Sequence, residues 1–219
     1  MPVGATPARR FVKKTLSPCY ETGVPGSELA ALAQRAQSGD AAARHELLVE
    51  LYRAVRKHVY LVIGAGPVAE DAVQETMIAL DRGLAAFRGE ASPRTWALAI
   101  ATRTARKLRR RESRYQLVEA GIADTAIFDL SPVASAELAM LQRALATLAP
   151  KKRDAFVLMA IGELTAEEAA VAIGTFAATA ASRYRHARAE LKQYFERRNF
   201  DEPEIVTATR EELWSTSTR

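Results

Sequence analysis

Three sets of side chains could do chemistry in this chain, and in each the chemistry is binding rather than bond making. Thr179, Ser182, Arg183 and His186 recur at spacings of three and four, so one helix face would present hydroxyls, a guanidinium and an imidazole together. Those groups suit hydrogen bonding to base edges and phosphates. A second set is the run Arg103, Arg106, Lys107, Arg109, Arg110, Arg111 and Arg114, opposed within that stretch only by Glu112. Such density suits a phosphate backbone, although a solvated helix end favoured by the helix dipole would also carry it. The loop before it, from Phe87 to Pro93, offers an aromatic against which an unstacked base could rest. The third set is Asp71, Gln74 and Glu75, an acidic helix face in an otherwise basic protein. It is either a solvated face or a surface for a protein partner. There is no Ser/His/Asp set and no glycine loop to cradle phosphate. His45 and His58 lack cysteine or carboxylate partners at metal-ligand spacing and are read as structural histidines. Catalysis, a metal, a cofactor and a small-molecule substrate are therefore not expected.

The elements that must position these groups are helices. Thr165 followed three residues later by Glu168 forms a capping box and starts a helix. Ala169, Ala170, Val171 and Ile173 should form its buried side, and Gly174 permits a sharp exit. A second helix opens near Ala177 and runs towards Arg198, with Ala180, Tyr184, Ala187 and Leu191 facing inward. Short helix, tight turn and longer basic helix make a helix-turn-helix pattern, in which the second helix enters the DNA major groove. An ordinary pair of packed helices would share that pattern.

Upstream, helical patterning begins near Glu28 and breaks at Ser38-Gly39-Asp40, where Asp40 can cap the next helix. Leu47, Leu48, Leu51, Val55, Val59 and Val62 give that helix an apolar stripe, ended by Gly64, Gly66 and Pro67. Val68 to Leu84 forms another helix, with Val73, Met77, Leu80 and Leu84 on one side. Ser92 can cap a helix from Arg94 to about Arg114, with Trp96, Ala97 and Ile100 towards the core. Further on, Leu138, Leu141, Leu145 and Leu148 form a stripe. Pro150 stands at the start of a helix whose Phe156, Val157, Met159 and Ile161 should pack beneath the helix-turn-helix.

The 219 residues suit one large or two small domains, and 48% apolar content supports packed cores. A net charge of +5 and a pI near 9.5 favour an anionic partner. The single cysteine, Cys19, allows no intrachain disulfide and fits a cytoplasmic location. No secretory signal and no membrane-inserting segment is expected.

Two stretches together resemble a known family. AEDAVQETMIALDRGLAAFRGEASPRTWALAIA is similar to the promoter-melting domain of the extracytoplasmic-function (ECF) group of bacterial RNA polymerase sigma factors. LAPKKRDAFVLMAIGELTAEEAAVAIG, with the later ASRYRHARAEL, resembles that family's second domain. The resemblance implies an all-α fold of two small helical domains joined by a flexible linker. The expected division is an N-terminal arm at 1–27, a sigma region 2-like domain at 28–114, a linker at 115–136, a region 4-like helix-turn-helix domain at 137–198 and a tail at 199–219. It implies a non-enzymatic factor that binds core RNA polymerase, directs it to promoter DNA and helps open the duplex, commonly restrained by an anti-sigma factor. By similarity, Asp71, Gln74 and Glu75 dock on the polymerase. Phe87, Arg88, Gly89 and Glu90, with Arg103, Arg106, Lys107 and Arg110, take single-stranded promoter DNA. Thr179, Ser182, Arg183, Arg185, His186 and Arg188 take the upstream duplex element. The chain departs from the family at Phe176, where proline is usual, at Ala181, where a polar residue is usual, and at Arg103, where asparagine is usual. Ala178 and Ala181 offer no side-chain hydrogen bonds. The rival reading is a helix-turn-helix regulator that binds DNA without polymerase; it would need no acidic docking face and would normally dimerise on a palindrome.

Overall fold

The computed structural model describes residues 25–116 and 132–197. The expected N-terminal arm up to residue 24 with its Cys19, linker residues 117–131, and the tail with Leu213 and Trp214 lie outside the described residues. Those described form helices and turns, with no strand among them. The first unit comprises α1 (Gly26–Gln37), α2 (Ala41–Ile63), α3 (Pro67–Gly83), a 3-10 turn (Leu84–Ala86) and α4 (Pro93–Gln116). The second comprises α5 (Pro132–Ala146), α6 (Pro150–Phe156), a π-helical turn (Val157–Ile161), α7 (Ala166–Ile173) and α8 (Ala177–Glu196).

Helix starts follow local chemistry. Asp40 caps α2 by accepting the Ala43 N–H at 3.0 Å. The Ser92 hydroxyl accepts the Thr95 N–H at 3.0 Å, so α4 begins at Pro93, one residue before the expected start. Pro67 and Pro150 each occupy a first-turn position, where the missing N–H is no loss. Thr165 and Glu168 form both arms of the capping box on α7. Gly174 ends α7 at φ 66°, a conformation costly for any residue with a Cβ.

The expected stripes fill the core. Leu47, Leu51, Val55, Val59 and Val62 of α2 are buried, with Val73, Leu80 and Leu84 from the next segment and Ala97 from α4. Leu48, Met77, Trp96 and Ile100 are half-buried and pack against them. In the second unit Leu141, Leu145, Leu148, Phe156, Val157 and Ile161 meet Tyr184, Ala187, Leu191 and Phe195. His58 is fully buried and His45 exposed.

Val171 corrects one expectation: it is 74% exposed, while Ala169, Ala170, Ala172 and Ile173 are buried. At about 100° per residue, a side chain two positions from both Ala169 and Ile173 must point to the opposite side of α7.

The two units pack against each other. α4 lies along α7, and α2 meets α5, α6 and the π-helical turn, so buried side chains from both units share one apolar cluster. Gly162 sits at this junction. A Cβ there would lie 2.6 Å from the Leu158 carbonyl oxygen and 3.1 Å from Leu98 Cδ1 of α4. Only glycine lets the chain turn that close to the first unit.

Candidate functional site

On α3, burial of Ala69, Ala72, Val73 and Thr76 turns Asp71 and Gln74 to solvent, with Glu75 half-buried beside them. Ile78 extends the same face and is exposed. Its position seven residues after Asp71, two helical turns on, was available from the spacing alone. Glu75 accepts a 3.1 Å hydrogen bond from Lys107 Nζ of α4. The acidic face and the basic helix are therefore neighbours. Both members of the pair are well solvated, so it contributes little to stability. At the start of this helix Glu70 accepts a hydrogen bond from the Tyr60 hydroxyl. Burial and that bond push the phenol up to about 12.

The loop ahead of α4 is held from below. The Gln37 amide donates to the carbonyls of Leu84 at 3.0 Å and Phe87 at 2.6 Å. The Phe87 ring is half-buried, with its centroid 4.8 Å from that of Trp96. A bare glycine at Gly83 accommodates the indole, since a Cβ there would meet Trp96 at 3.2 Å. Arg88, Gly89 and Glu90 are fully presented to solvent, with Gly89 at φ 72°. The aromatic is thus a wall of the loop and the three residues after it are its rim.

Along α4, Arg103, Lys107 and Arg110 are exposed, as is Arg111. Arg106 is not. Its Nε donates to Asp154 Oδ2 of α6 at 2.5 Å, and its Nη1 to the Ile173 carbonyl at 3.3 Å. The Asp154 side chain is 1% exposed and that of Arg106 21%. Burial raises the Asp154 carboxyl above its usual range although Arg106, Arg109 and Arg153 all pull it down. Arg109 and Arg153, one from each unit, both donate to the Val62 carbonyl, at 3.1 and 3.0 Å. Nearby the Thr95 hydroxyl donates at 2.9 Å to Glu168, whose other oxygen closes the α7 capping box. His58 is buried beneath α4. The Thr102 hydroxyl donates to the Leu98 carbonyl, so His58 Nε2–H must donate to Thr102 Oγ1 at 2.7 Å. Burial, reinforced by Arg106 and Arg94, lowers this imidazole to about 3.

On α8, Ala180, Tyr184, Ala187 and Leu191 face the core. Arg185 and His186 are exposed; Thr179, Ser182, Arg183 and Arg188 are half-buried along the flanks. The six residues therefore lie around the helix surface away from the core, with Arg185 and His186 the most accessible. Asp154 escaped the sequence reading because it is one acid in the run KKRD, with no periodicity to mark it as buried.

Residues 47–115 match the profile of Sigma-70 region 2, and residues 138–191 that of Sigma-70, region 4. The chain is 28% identical over 156 residues to RNA polymerase sigma factor YlaC of Bacillus subtilis (strain 168), covering 68% of this chain and 89% of that protein. Its fold is similar to that of sigma factor RpoE, solved with the anti-sigma factor NepR from Bartonella quintana. There the TM-score is 0.60 at 22% identity, over 68% of this chain and 94% of that one. CnrH, solved with the cytosolic domain of CnrY, aligns with a TM-score of 0.58 at 25% identity, over 76% of this chain and 96% of that one.

Proposed function

Since the chain belongs to the sigma-70 family of RNA polymerase sigma factors, in its ECF group, we propose that it binds core RNA polymerase, carries it to specific promoters and promotes strand separation there. One observation carries this reading: the two family regions occur in order, with an acidic face on α3 set beside a basic α4 and a second basic helix, α8, closing a helix-turn-helix. On this reading Asp71, Gln74 and Glu75 meet the polymerase. The rim Arg88-Gly89-Glu90, beside Phe87, meets a flipped base of the melted strand. Flipping costs a few kcal/mol, which a preformed wall and nearby cations offset. Arg103, Lys107 and Arg110 hold the strand's phosphates. Arg106 can join them only by exchanging Asp154 for phosphate. Thr179, Ser182, Arg183, Arg185, His186 and Arg188 meet the upstream duplex.

The chain acts as a binding factor, with no reaction of its own, in the cytoplasm with the polymerase. No described helix is long and apolar enough to cross a membrane. A protein that holds it inactive is a further expected partner, by analogy with the RpoE–NepR pair. Co-purification with core polymerase tests the docking assignment. The pair of changes Gln74→Ala and Glu75→Ala should abolish it while the helical fold is retained. Unchanged capture of polymerase would show that the α3 face is not the docking surface.

A further inference from the structure

Phe176 is 84% exposed, the most exposed large apolar side chain among the described residues. It is the N-cap of α8, and its side chain makes no capping hydrogen bond. Exposing a phenyl ring at a cap where Ser, Thr, Asp or Asn would stabilise the helix forgoes about 1 kcal/mol. The ring therefore has no structural reason to be there. The surface that follows is equally poor in hydrogen-bonding groups: Ala177 and Ala181 are half-buried and Ala178 is exposed, leaving Thr179 and Ser182 as the hydroxyls of the first two turns.

In a helix-turn-helix the first turns of the second helix meet base edges. The one apolar group that any base pair shows in the major groove is the C5-methyl of thymine. Further along α8, about 14–15 Å from Phe176 at 1.5 Å per residue, Arg185 and His186 are both exposed. Exposed cations on the same helix as an apolar tip fit a groove walled by phosphates. We infer that Phe176 reads a thymine methyl group at one step of the upstream promoter element. The inference rests on the proposed function, because it requires α8 to lie in the major groove. It replaces missing hydrogen-bond readout at Ala178 and Ala181 by apolar contact, and so makes Phe176 a specificity-determining residue.

The test uses the full chain bound to core polymerase. A preferred upstream element is first selected from a randomised duplex library. Each thymine in it is then replaced singly by uracil, which removes the methyl and leaves every hydrogen-bonding group in place. At one position the replacement should weaken binding about fourfold, the contribution of one buried methyl group. The same replacement should weaken binding less than twofold in Phe176→Ala, a substitution at a solvent-exposed site that leaves the core intact. Arg185→Ala should weaken binding at every sequence alike. Equal uracil effects in the wild type and Phe176→Ala, or none at any thymine, overturn the methyl contact while sensitivity to Arg185→Ala leaves the family reading standing. Loss of polymerase capture by Phe176→Ala, with DNA preference unchanged, assigns the ring to a protein contact and also overturns it. Failure to select any upstream element overturns both this inference and the function beneath it.

Discussion

Replacing Arg106 by alanine should cost more stability than replacing Asp154, although the two form one ion pair. Asp154 is almost wholly buried and one of its oxygens, Oδ1, has no hydrogen-bond partner. Arg106 retains contact with solvent and with the Ile173 carbonyl. Arg106→Ala therefore strands a buried carboxylate, for which breaking a buried pair costs about 3–5 kcal/mol. Asp154→Ala strands a guanidinium that water can partly reach and removes an oxygen that was already unsatisfied. About 2 kcal/mol is expected, towards the low end for an orphaned polar group. Acid should rescue part of the first loss. Burial raises the Asp154 carboxyl. A carboxyl raised in the folded state contributes stability at low pH and loses it as pH rises through the folded value. Urea unfolding of both variants and the double variant, followed by circular dichroism at neutral and mildly acid pH, measures all three effects. The double-mutant coupling should be about 2 kcal/mol, because the residues are in direct contact. A coupling near zero would refute the claim that this pair joins the two units, and Asp154→Ala costing as much as Arg106→Ala would refute the asymmetry argued from burial.

Two further perturbations follow from the packing. His58 titrates near 3 when folded against an ordinary value of 6.5, so its contribution is complete above 6.5 and is lost as pH falls. Acidification from about pH 7 to 5 should cost about 2 kcal/mol through this group, and His58→Gln should flatten that slope in thermal melts. An unchanged slope would remove His58 as the cause. Gly162→Ala should destabilise by about 1–3 kcal/mol through overpacking, since its Cβ would press on the Leu158 carbonyl and on Leu98 of α4. A neutral melt would show that the junction has slack.

Helix starts were legible because they depend on neighbours in sequence: Asp40, Ser92, the Thr165–Glu168 box and Pro150 each act within four residues. The α2 stripe and the inward face of α8 were legible from period alone. Val171 was misplaced because an eight-residue helix made almost wholly of apolar residues has too little contrast to fix its face. The junction between the units was not legible. It joins Arg106 to Asp154, and Arg109 and Arg153 to one carbonyl, across long stretches of chain. Each of these residues belongs to a charged run that looks solvated. The Phe87 ring likewise lies against Trp96, a contact that turns on Gly83 and Gln37 rather than on any pattern near Phe87.

Promoter-directed initiation by this chain is measured by reconstituted transcription. Purified core polymerase, alone and with the full chain, is run on a library of genomic duplex fragments, and the 5′ ends of the transcripts are mapped. Discrete starts are expected that require the chain and share an upstream element, and that disappear with Gln74→Ala and Glu75→Ala together. Tight binding of the chain to duplex DNA by itself, with no start above core polymerase alone, would show that it is not a polymerase-directing factor.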